Sequence, residues 1–362
     1  MSSMNIIQIM PTVSFGDAVS NDARAINGVI SEMGYETGIY AENIDGRISE
    51  FCIHGIDELP DTKKDDIIIF NHSTGTDLCD KIKKINGHKM MIYHNITPPE
   101  FFEGYSPAAT NLTEYGYKCT KDLANTIEYV MAVSQYNAND LKKMGYNCPM
   151  AVRPILIPFS DYEKQPDQKI IDKYSNDGYV NIVFVGRIVP NKKQEDVIAS
   201  FAYYNKYINQ KSRLIIVGSD NGMEIYSRRL KKYADALLLE DVIFTGHISF
   251  AAIIAWYRLA DVFLCMSEHE GFCVPLVEAM YFNTPIIAYN SSAIGETLGG
   301  SGLLLDKKDP AETAMLIDRL ANDDTFRKEV IKGQAERLKD FSYEKVRDMF
   351  VSQLNGFIGS IK

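Results

Sequence analysis

The chain has 362 residues, 46% of them hydrophobic and 24% charged, which is an ordinary composition for a globular protein of two domains. A formal net charge of −10 argues against a nucleic-acid partner, because phosphate backbones are bound by basic surfaces. No stretch approaches the roughly 20 apolar residues of a membrane span, and no signal peptide is visible, so we expect a cytoplasmic protein.

Apolar strands alternate with helices through the first part of the chain. Residues 5–10 form a predicted buried strand, residues 11–17 a loop, and the next segment a helix with apolar positions at a spacing of 3.6 residues. Further strands are predicted at 37–41, 66–70, 89–93 and 128–133. Such alternation is typical of parallel α/β layers.

The alternation lapses at 155–177, a polar segment containing proline that predicts a linker. It then restarts, with strands predicted at 180–185, 213–217, 242–245, 262–266 and 285–289. The sequence therefore predicts two doubly wound domains, at 1–160 and 178–342, and an amphipathic last helix at about 343–362.

The six cysteines are scattered, and none belongs to a Cys-x-x-Cys pair. This argues against a disulfide framework and against a zinc site. We expect reduced thiols, mostly in the core, and no bound metal. The triplet Glu268-His269-Glu270 is not expected to hold an ion either, since adjacent loop residues rarely aim at one point.

The most informative motif follows the strand at 262–266. Pro275 suits the first turn of a helix, so Glu270 belongs to the preceding loop and Glu278 to the helix itself. Gly271 allows a ligand close to the backbone, and the amides of residues 272–276 at the helix start form an anion site. A diphosphate fits this site. We expect Glu278 to accept hydrogen bonds from a ribose and Glu270 from a sugar ring.

A second motif lies at the end of the strand 180–185, where Gly186 and Arg187 are followed by Lys192. Arg187 offers a rigid fork of donors and Lys192 a compact positive charge, a pair suited to two linked phosphates. Taken alone, such a pair is more often a surface feature. Beside the carboxylate motif it indicates a site for a charged leaving group.

These motifs resemble those of the large retaining glycosyltransferases, glycosyl transferases group 1. The stretch from Glu270 to Glu278 is similar to the Glu, seven residues, Glu signature of that family, and Gly186-Arg187 with Lys192 resembles its phosphate-binding element. The segment 93–102, which contains His94, is similar to the family's histidine loop on the acceptor side. Residues 11–17 occupy the place of its glycine-rich first loop, with Gly16 alone where a Gly-Gly pair is common.

The resemblance implies the GT-B architecture, in which two Rossmann-like domains face each other across a cleft and a final helix crosses back to the first domain. It also implies transfer of a hexose-type sugar from a UDP- or GDP-sugar with retention and without a metal or other cofactor. The catalytic residues it implies are His94, Glu270, Arg187 and Lys192. The donor-binding residues are Gly16, Asp17, Gly186, Gly271, Phe272, Cys273, Val274 and Glu278.

The partners implied are a nucleotide-sugar donor and a carbohydrate or lipid-linked acceptor, as in glycan, polysaccharide or glycolipid assembly. A basic cluster has two interpretations, contact with an anionic membrane surface at the inner face or a solvated helix face. Its members are Lys81, Lys83, Lys84, His88 and Lys89.

Three other classes of protein stay open at this point. A nucleotide-sugar epimerase would share the fold but would not require Glu270 and Glu278 to hold sugar and ribose. A catalytically silent module would bind the nucleotide sugar and release nothing. An NAD-dependent oxidoreductase would need a GxGxxG turn, and neither Gly16 nor Gly186 opens one.

Overall fold

A computed structural model describes residues 4–362 of the chain. The backbone divides into two compact units. The N-terminal unit contains the residues up to 99, residues 111–158 and residues 340–362. The C-terminal unit contains residues 100–110 and 159–339.

The sheet of the N-terminal unit has seven strands, and every pairing in it is parallel. Its strands are β1 (Asn5–Val13), β2 (Glu36–Ile44), β3 (Ile53–Gly55), β4 (Ile67–His72), β5 (His88–Tyr93), β6 (Tyr129–Ala132) and β7 (Met150–Val152). The spatial order is β3-β2-β1-β4-β5-β6-β7. Strand β4 is buried along its whole length, which suits the apolar run of its first four residues.

Four helices lie between these strands in the sequence: α1 (Ala18–Glu32), α2 (Leu78–Lys84), α3 (Pro107–Asp122) and α4 (Gln135–Lys143). Helix α1 begins after Asp17, whose carboxylate accepts a hydrogen bond from the amide of Ser20. Its buried face contains Ala23, Ile26 and Ile30, which have the helical spacing that the sequence predicts.

The C-terminal unit has a parallel sheet of six strands in the order β10-β9-β8-β11-β12-β13. They are β8 (Val180–Val185), β9 (Ser212–Val217), β10 (Val242–Gly246), β11 (Val262–Cys265), β12 (Ile286–Tyr289) and β13 (Leu303–Leu305). The accompanying helices are α5 (Gln168–Tyr174), α6 (Gln194–Tyr207), α7 (Glu224–Ala236), α8 (Phe250–Leu259), α9 (Val274–Tyr281), α10 (Ile294–Leu298), α11 (Pro310–Asn322) and α12 (Asp324–Leu338).

The last helix, α13 (Tyr343–Ile361), belongs to the N-terminal unit. Its buried positions include Val346, Phe350 and Leu354, and it places the Phe350 ring 6.0 Å from the guanidinium carbon of Arg153. The apolar stripe predicted for this segment is therefore a buried face.

The predicted linker is wrong over part of its length. Helix α5 lies inside it, and a short 3₁₀ turn occupies Phe159–Glu163. The cause is local, because Asp167 caps α5 by accepting a hydrogen bond from the amide of Lys169. The polar residues that suggested a loop include this helix-start signal.

Each sheet packs on its own apolar core. Among the residues that the structure describes, none of the helices combines the length and apolar character needed to cross a bilayer. All six cysteines are free thiols, and four of them are buried.

Candidate active site

The predicted motifs of the C-terminal unit follow β8 and β11, which are adjacent strands of one sheet. The chain connects β8 to β9 on one side and β11 to β12 on the other, so the strand order reverses between them. Ligands of open parallel sheets bind at such a reversal, outside the carboxyl ends of the strands. Gly186 and Lys192 come after β8, and Glu270 comes after β11.

Helix α9 begins as the sequence predicts, with Pro275 in its first turn. Its N-cap is Cys273, which has the left-handed backbone conformation φ 73°, ψ 67°. The amide of Leu276 already donates to the carbonyl of Cys273 over 3.0 Å, and proline has no N–H. An anion at the site predicted from residues 272–276 can therefore be bound only by the backbone amides that precede Pro275, in the segment between Gly271 and Val274.

Lys192 and Glu270 form an ion pair, in which Nζ of the lysine donates to Oε1 of the carboxylate. Only 18% of the lysine side chain and 8% of the glutamate side chain are exposed. Burial alone would lower the pKa of Lys192, but the Glu270 carboxylate raises it above its ordinary value. The lysine is thus a fixed positive charge.

The backbone around this pair is held by polar side chains that the sequence did not single out. The hydroxyl of Ser292 accepts from the amide of Glu270 over 2.8 Å, and the Asn191 amide group donates to the carbonyl of His269 over 2.9 Å. Glu268 turns away from the pair, toward Lys308 and Lys193. The triplet of residues 268–270 therefore does not converge on one point.

Arg187 does not take part in the ion pair of Lys192 and Glu270. Its side chain is exposed, and in the part of the chain that the structure describes it forms no ion pair. The preceding Gly186 approaches Gly218 so closely that a β-carbon on Gly218 would collide with the Gly186 carbonyl oxygen. This contact fixes the loop that carries Arg187.

Glu278 is held by two tyrosines. The hydroxyl of Tyr162 donates to Oε1 and that of Tyr257 to Oε2, each over 2.6 Å. Burial raises the pKa of Glu278, and the two tyrosine hydrogen bonds oppose that shift. A carboxylate has about four lone-pair sites, so two remain for a ligand hydroxyl. The ribose contact predicted for Glu278 stays a prediction.

A cysteine pair at this site was missed by the sequence reading. Sγ of Cys265 and Cys273 and a carboxylate oxygen of Glu270 all lie within 4.8 Å of one another. Cys265 and Cys273 are eight positions apart, at the end of β11 and at the start of α9, so no Cys-x-x-Cys spacing announces them.

His94, which the sequence predicted as a catalytic residue, lies in the N-terminal unit. The sequence did not predict which residues surround it. The residue is buried, neither ring nitrogen has a hydrogen-bond partner in the described chain, and Nε2 lies 3.7 Å from Oδ2 of Asp22. Burial lowers the pKa of His94 to about 4, and Asp22 opposes that shift. Asp22 itself binds both terminal nitrogens of the buried Arg153, at 2.9 and 2.6 Å.

Gly16 and Asp17 lie in the same unit, after β1. Gly16 has a φ of +75°, and both residues are exposed. The Asp17 carboxylate accepts hydrogen bonds from the amide and hydroxyl of Ser20, at 3.0 and 2.9 Å. The structure thus gives Asp17 a capping role, and its predicted contact with the donor stays a prediction.

Part of this chain is similar in sequence to known glycosyltransferases. The family model of the glycosyl transferases group 1 matches residues 166–337. An uncharacterised glycosyltransferase of Methanocaldococcus jannaschii is 29% identical over 227 residues, which are 60% of this chain and 56% of that protein. The chain spans about half the length of the curated relatives it matches.

Two solved structures share the fold. Sucrose-phosphate synthase from Thermosynechococcus elongatus superposes with a TM-score of 0.77 at 17% identity, covering 99% of this chain and 100% of that one. The HepE protein of Anabaena, solved in complex with UDP-glucose, gives a TM-score of 0.73 at 16% identity and covers 98% and 100%. The segment that matches the glycosyl transferases group 1 contains the signature of residues 270–278, and the chain has the GT-B fold of two Rossmann-like domains.

Proposed function

We propose that this protein is a retaining glycosyltransferase that moves a hexose-type sugar from a UDP- or GDP-sugar to an acceptor hydroxyl without a metal. The observation that carries the proposal is the ion pair of Lys192 and Glu270, which stands beside the start of α9 at the strand-order reversal of the C-terminal sheet. A cation, backbone amides and a carboxylate acceptor suit a diphosphate linked to a sugar.

In the proposed reaction, the bond between the anomeric carbon and the diphosphate oxygen breaks, and a bond from that carbon to the acceptor oxygen forms on the same face. The acceptor proton passes to a phosphate oxygen, so no protein base is required. Lys192, Arg187 and the amides before Pro275 stabilise the charge that develops on the diphosphate. Groups preorganised at developing charge are commonly the largest catalytic term.

The remaining roles rest on the resemblance of the motifs. Glu270 holds hydroxyls of the donor sugar, Glu278 holds the ribose, and His94 contacts the sugar near the reaction centre. The UDP-glucose in the complex of the Anabaena protein supports a uridine donor as the first to be tested.

The proposal is tested by incubating the protein with UDP- and GDP-sugars and a panel of sugar and lipid-linked acceptors, with and without EDTA. We expect release of UDP or GDP that does not depend on a metal, and a product whose anomeric proton coupling matches that of the donor. Lys192→Ala should reduce the release roughly 10²- to 10³-fold. Interconversion of the donor sugar without transfer would identify an epimerase. If neither UDP nor GDP were released from any donor, the proposed transferase activity would be wrong.

The lipid-linked acceptor and the membrane contact are a separate part of the proposal. The basic cluster is partly neutralised, because Lys83 lies near Asp80 and Asp122, and His88 pairs with Glu128. Sedimentation with anionic and neutral vesicles decides the point. Equal recovery with both vesicle types would leave a solvated helix face as the interpretation.

A further inference from the structure

Two thiols and a carboxylate form a compact cluster at the end of β11. Cys265 closes that strand, Cys273 caps α9, and Glu270 lies on the loop between them. The exposed fractions of the three residues are 2%, 7% and 7%. Their ligand atoms lie within 4.8 Å of one another, and among residues 4–362 they are the one group of three such side chains found that close.

The backbone of Cys273 gives a second, independent observation. Its φ of 73° lies in the left-handed region, which costs a residue with a β-carbon about 1–2 kcal/mol. Glycine adopts this conformation without that cost. A cysteine at this position therefore loses stability that a glycine would keep. Unlike a glycine, the cysteine places a sulfur at this position, and that sulfur lies beside Cys265 and Glu270.

Both thiols are buried in the C-terminal unit. The positive charge of Lys192 stands beside both thiols, through its pairing with Glu270.

We propose that Cys265, Cys273 and Glu270 bind a thiophilic divalent cation of the zinc class, and that this ion inhibits the protein by taking Glu270 from Lys192. Binding replaces two thiol protons by one dication and forms two metal–sulfur bonds and one metal–oxygen bond. The summed charge of the cluster with Lys192 is zero before and after, so the buried site gains no net charge.

The ligand set selects the metal. Thiolates are soft ligands that favour zinc and similar ions over magnesium or manganese, which prefer oxygen. In a tetrahedral zinc site, metal–sulfur bonds of about 2.3 Å place two sulfurs about 3.8 Å apart. The present spacing of at most 4.8 Å needs only a small closing movement. Three protein ligands leave the fourth position for water.

The chain contains a matched pair of thiols that lacks the carboxylate. Cys79 and Cys119 are buried neighbours in the N-terminal unit. Burial raises the pKa of Cys79, and Cys119 raises it further. In the described chain no third ligand of the required kind joins them. Cys79→Ala is therefore the control for loss of a buried, paired thiol.

The experiment titrates the reduced, chelator-treated full chain with Co²⁺ in the presence of a phosphine reductant. We expect thiolate-to-cobalt charge-transfer absorption that saturates at one ion per chain and disappears when Zn²⁺ displaces the cobalt. Cys265→Ser and Cys273→Gly should abolish this absorption, and Cys79→Ala should retain it. Zinc binding in weak buffer should release two protons per chain.

Cys273→Gly also guards against a trivial result. Because it removes the left-handed strain, this variant should unfold at a urea concentration no lower than that of the wild type. Its loss of the cobalt spectrum then cannot come from misfolding. Retention of the absorption in Cys273→Gly, its loss in Cys79→Ala, or its absence from the wild type would overturn the proposal.

The inhibitory effect rests on the proposed function, whereas the binding does not. Each variant is compared with its own rate in zinc-free buffer. Zinc should reduce nucleotide release by the wild type and by Cys79→Ala about a hundredfold, reversibly with EDTA, and should inhibit Cys273→Gly far less. If no donor is turned over at all, the cobalt spectra still decide whether the site exists. Bound zinc with full turnover would refute the inhibition.

Discussion

Lys192 and Glu270 are largely buried, and their opposite charges neutralise each other. The stability of the folded protein therefore depends on the presence of both. Removing one member of a buried ion pair leaves an uncompensated charge and costs about 3 kcal/mol. We expect Lys192→Met to lower the free energy of unfolding by about that amount, and Lys192→Met with Glu270→Gln to lower it less than the sum of the two single changes. Urea unfolding of the four proteins measures this coupling. Additive effects would show that the two charges do not interact.

Glu278 is predicted to bind the donor nucleotide through its two unused lone-pair sites. Loss of a hydrogen bond to a charged group costs about 1.5–3 kcal/mol, which is roughly a tenfold change in affinity or more. Glu278→Ala should therefore raise the dissociation constants of UDP or GDP by about that factor in calorimetry. Tyr257→Phe keeps the carboxylate and serves as the control. An unchanged affinity in Glu278→Ala would remove its assignment to the ribose.

Two buried histidines predict how stability depends on pH. Burial lowers the pKa of His94 to about 4 and that of His72 to about 3, from an ordinary value of 6.5. Below pH 6.5 the unfolded chain binds protons that the folded chain excludes, so stability falls as the pH falls toward these values.

Each histidine should contribute about 1.4 kcal/mol per pH unit across its own window. Urea unfolding between pH 7 and 5 measures how steeply the free energy of unfolding changes with pH. His94→Gln should reduce this slope by the contribution of one histidine, about 1.4 kcal/mol per pH unit. An identical slope in that variant would mean that His94 is protonated in the folded protein.

The sequence could indicate Lys192, Glu270 and Glu278 because their motifs are local. It could not indicate their partners in the same way. Tyr162 reaches Glu278 across 116 positions, and Arg153 reaches Asp22 across 131. Such pairs form only after elements distant in sequence become neighbours, so neither spacing nor composition carries a signal for them.

At the scale of elements, the long buried strands were predictable and the short ones were not. Strand β4 has six residues, all of them buried, whereas β3 and β7 have three residues each, all only partly buried. Three residues give too short a pattern for alternation or an apolar run to emerge. These strands owe their conformation to pairing with β2 and β6.

The loop after β8 contacts the loop after β9 through Gly186 and Gly218. Gly218 has a φ of +156°, and a β-carbon there would collide with backbone atoms of Gly186, which cannot move aside as a side chain could. We expect Gly218→Ala to cost more than about 4 kcal/mol or to prevent folding. Gly222, with a φ of +75° and no atom within 4 Å of a β-carbon, is the matched control.

Gly222→Ala should cost only about 1–2 kcal/mol, for the backbone conformation alone. Thermal unfolding of the two variants provides the comparison. Equal losses of stability would mean that the loop of Gly186 and Arg187 adapts to an added methyl group.

At the scale of the whole molecule, α13 completes a unit whose other parts lie far earlier in the chain. Its buried side chains include Val346, Phe350, Leu354, Phe357 and Ile358. Burial of a large apolar side chain contributes about 1.5–3 kcal/mol, so together they contribute about as much as the net stability of a typical domain.

Deletion of residues 343–362 should therefore unfold the N-terminal unit. Hydrogen exchange should show lost protection in β1, β4 and β5, with protection kept in β8 and β11. Arg347→Ala, which removes the surface ion pairs with Glu32 and Asp348, should leave the exchange pattern unchanged. Persistent protection of β1 in the truncated chain would show that the helix is dispensable.

The order of synthesis gives this arrangement a further consequence. About 200 residues separate the end of β7 from the end of α13, and at about 5–20 residues per second a ribosome needs about 10–40 s to make them. During that interval the nascent N-terminal half holds its strands with an apolar surface still uncovered. A chaperone that engages the growing polypeptide has that interval in which to act, and a transcript cut short before α13 yields a product marked for degradation by its own exposed core.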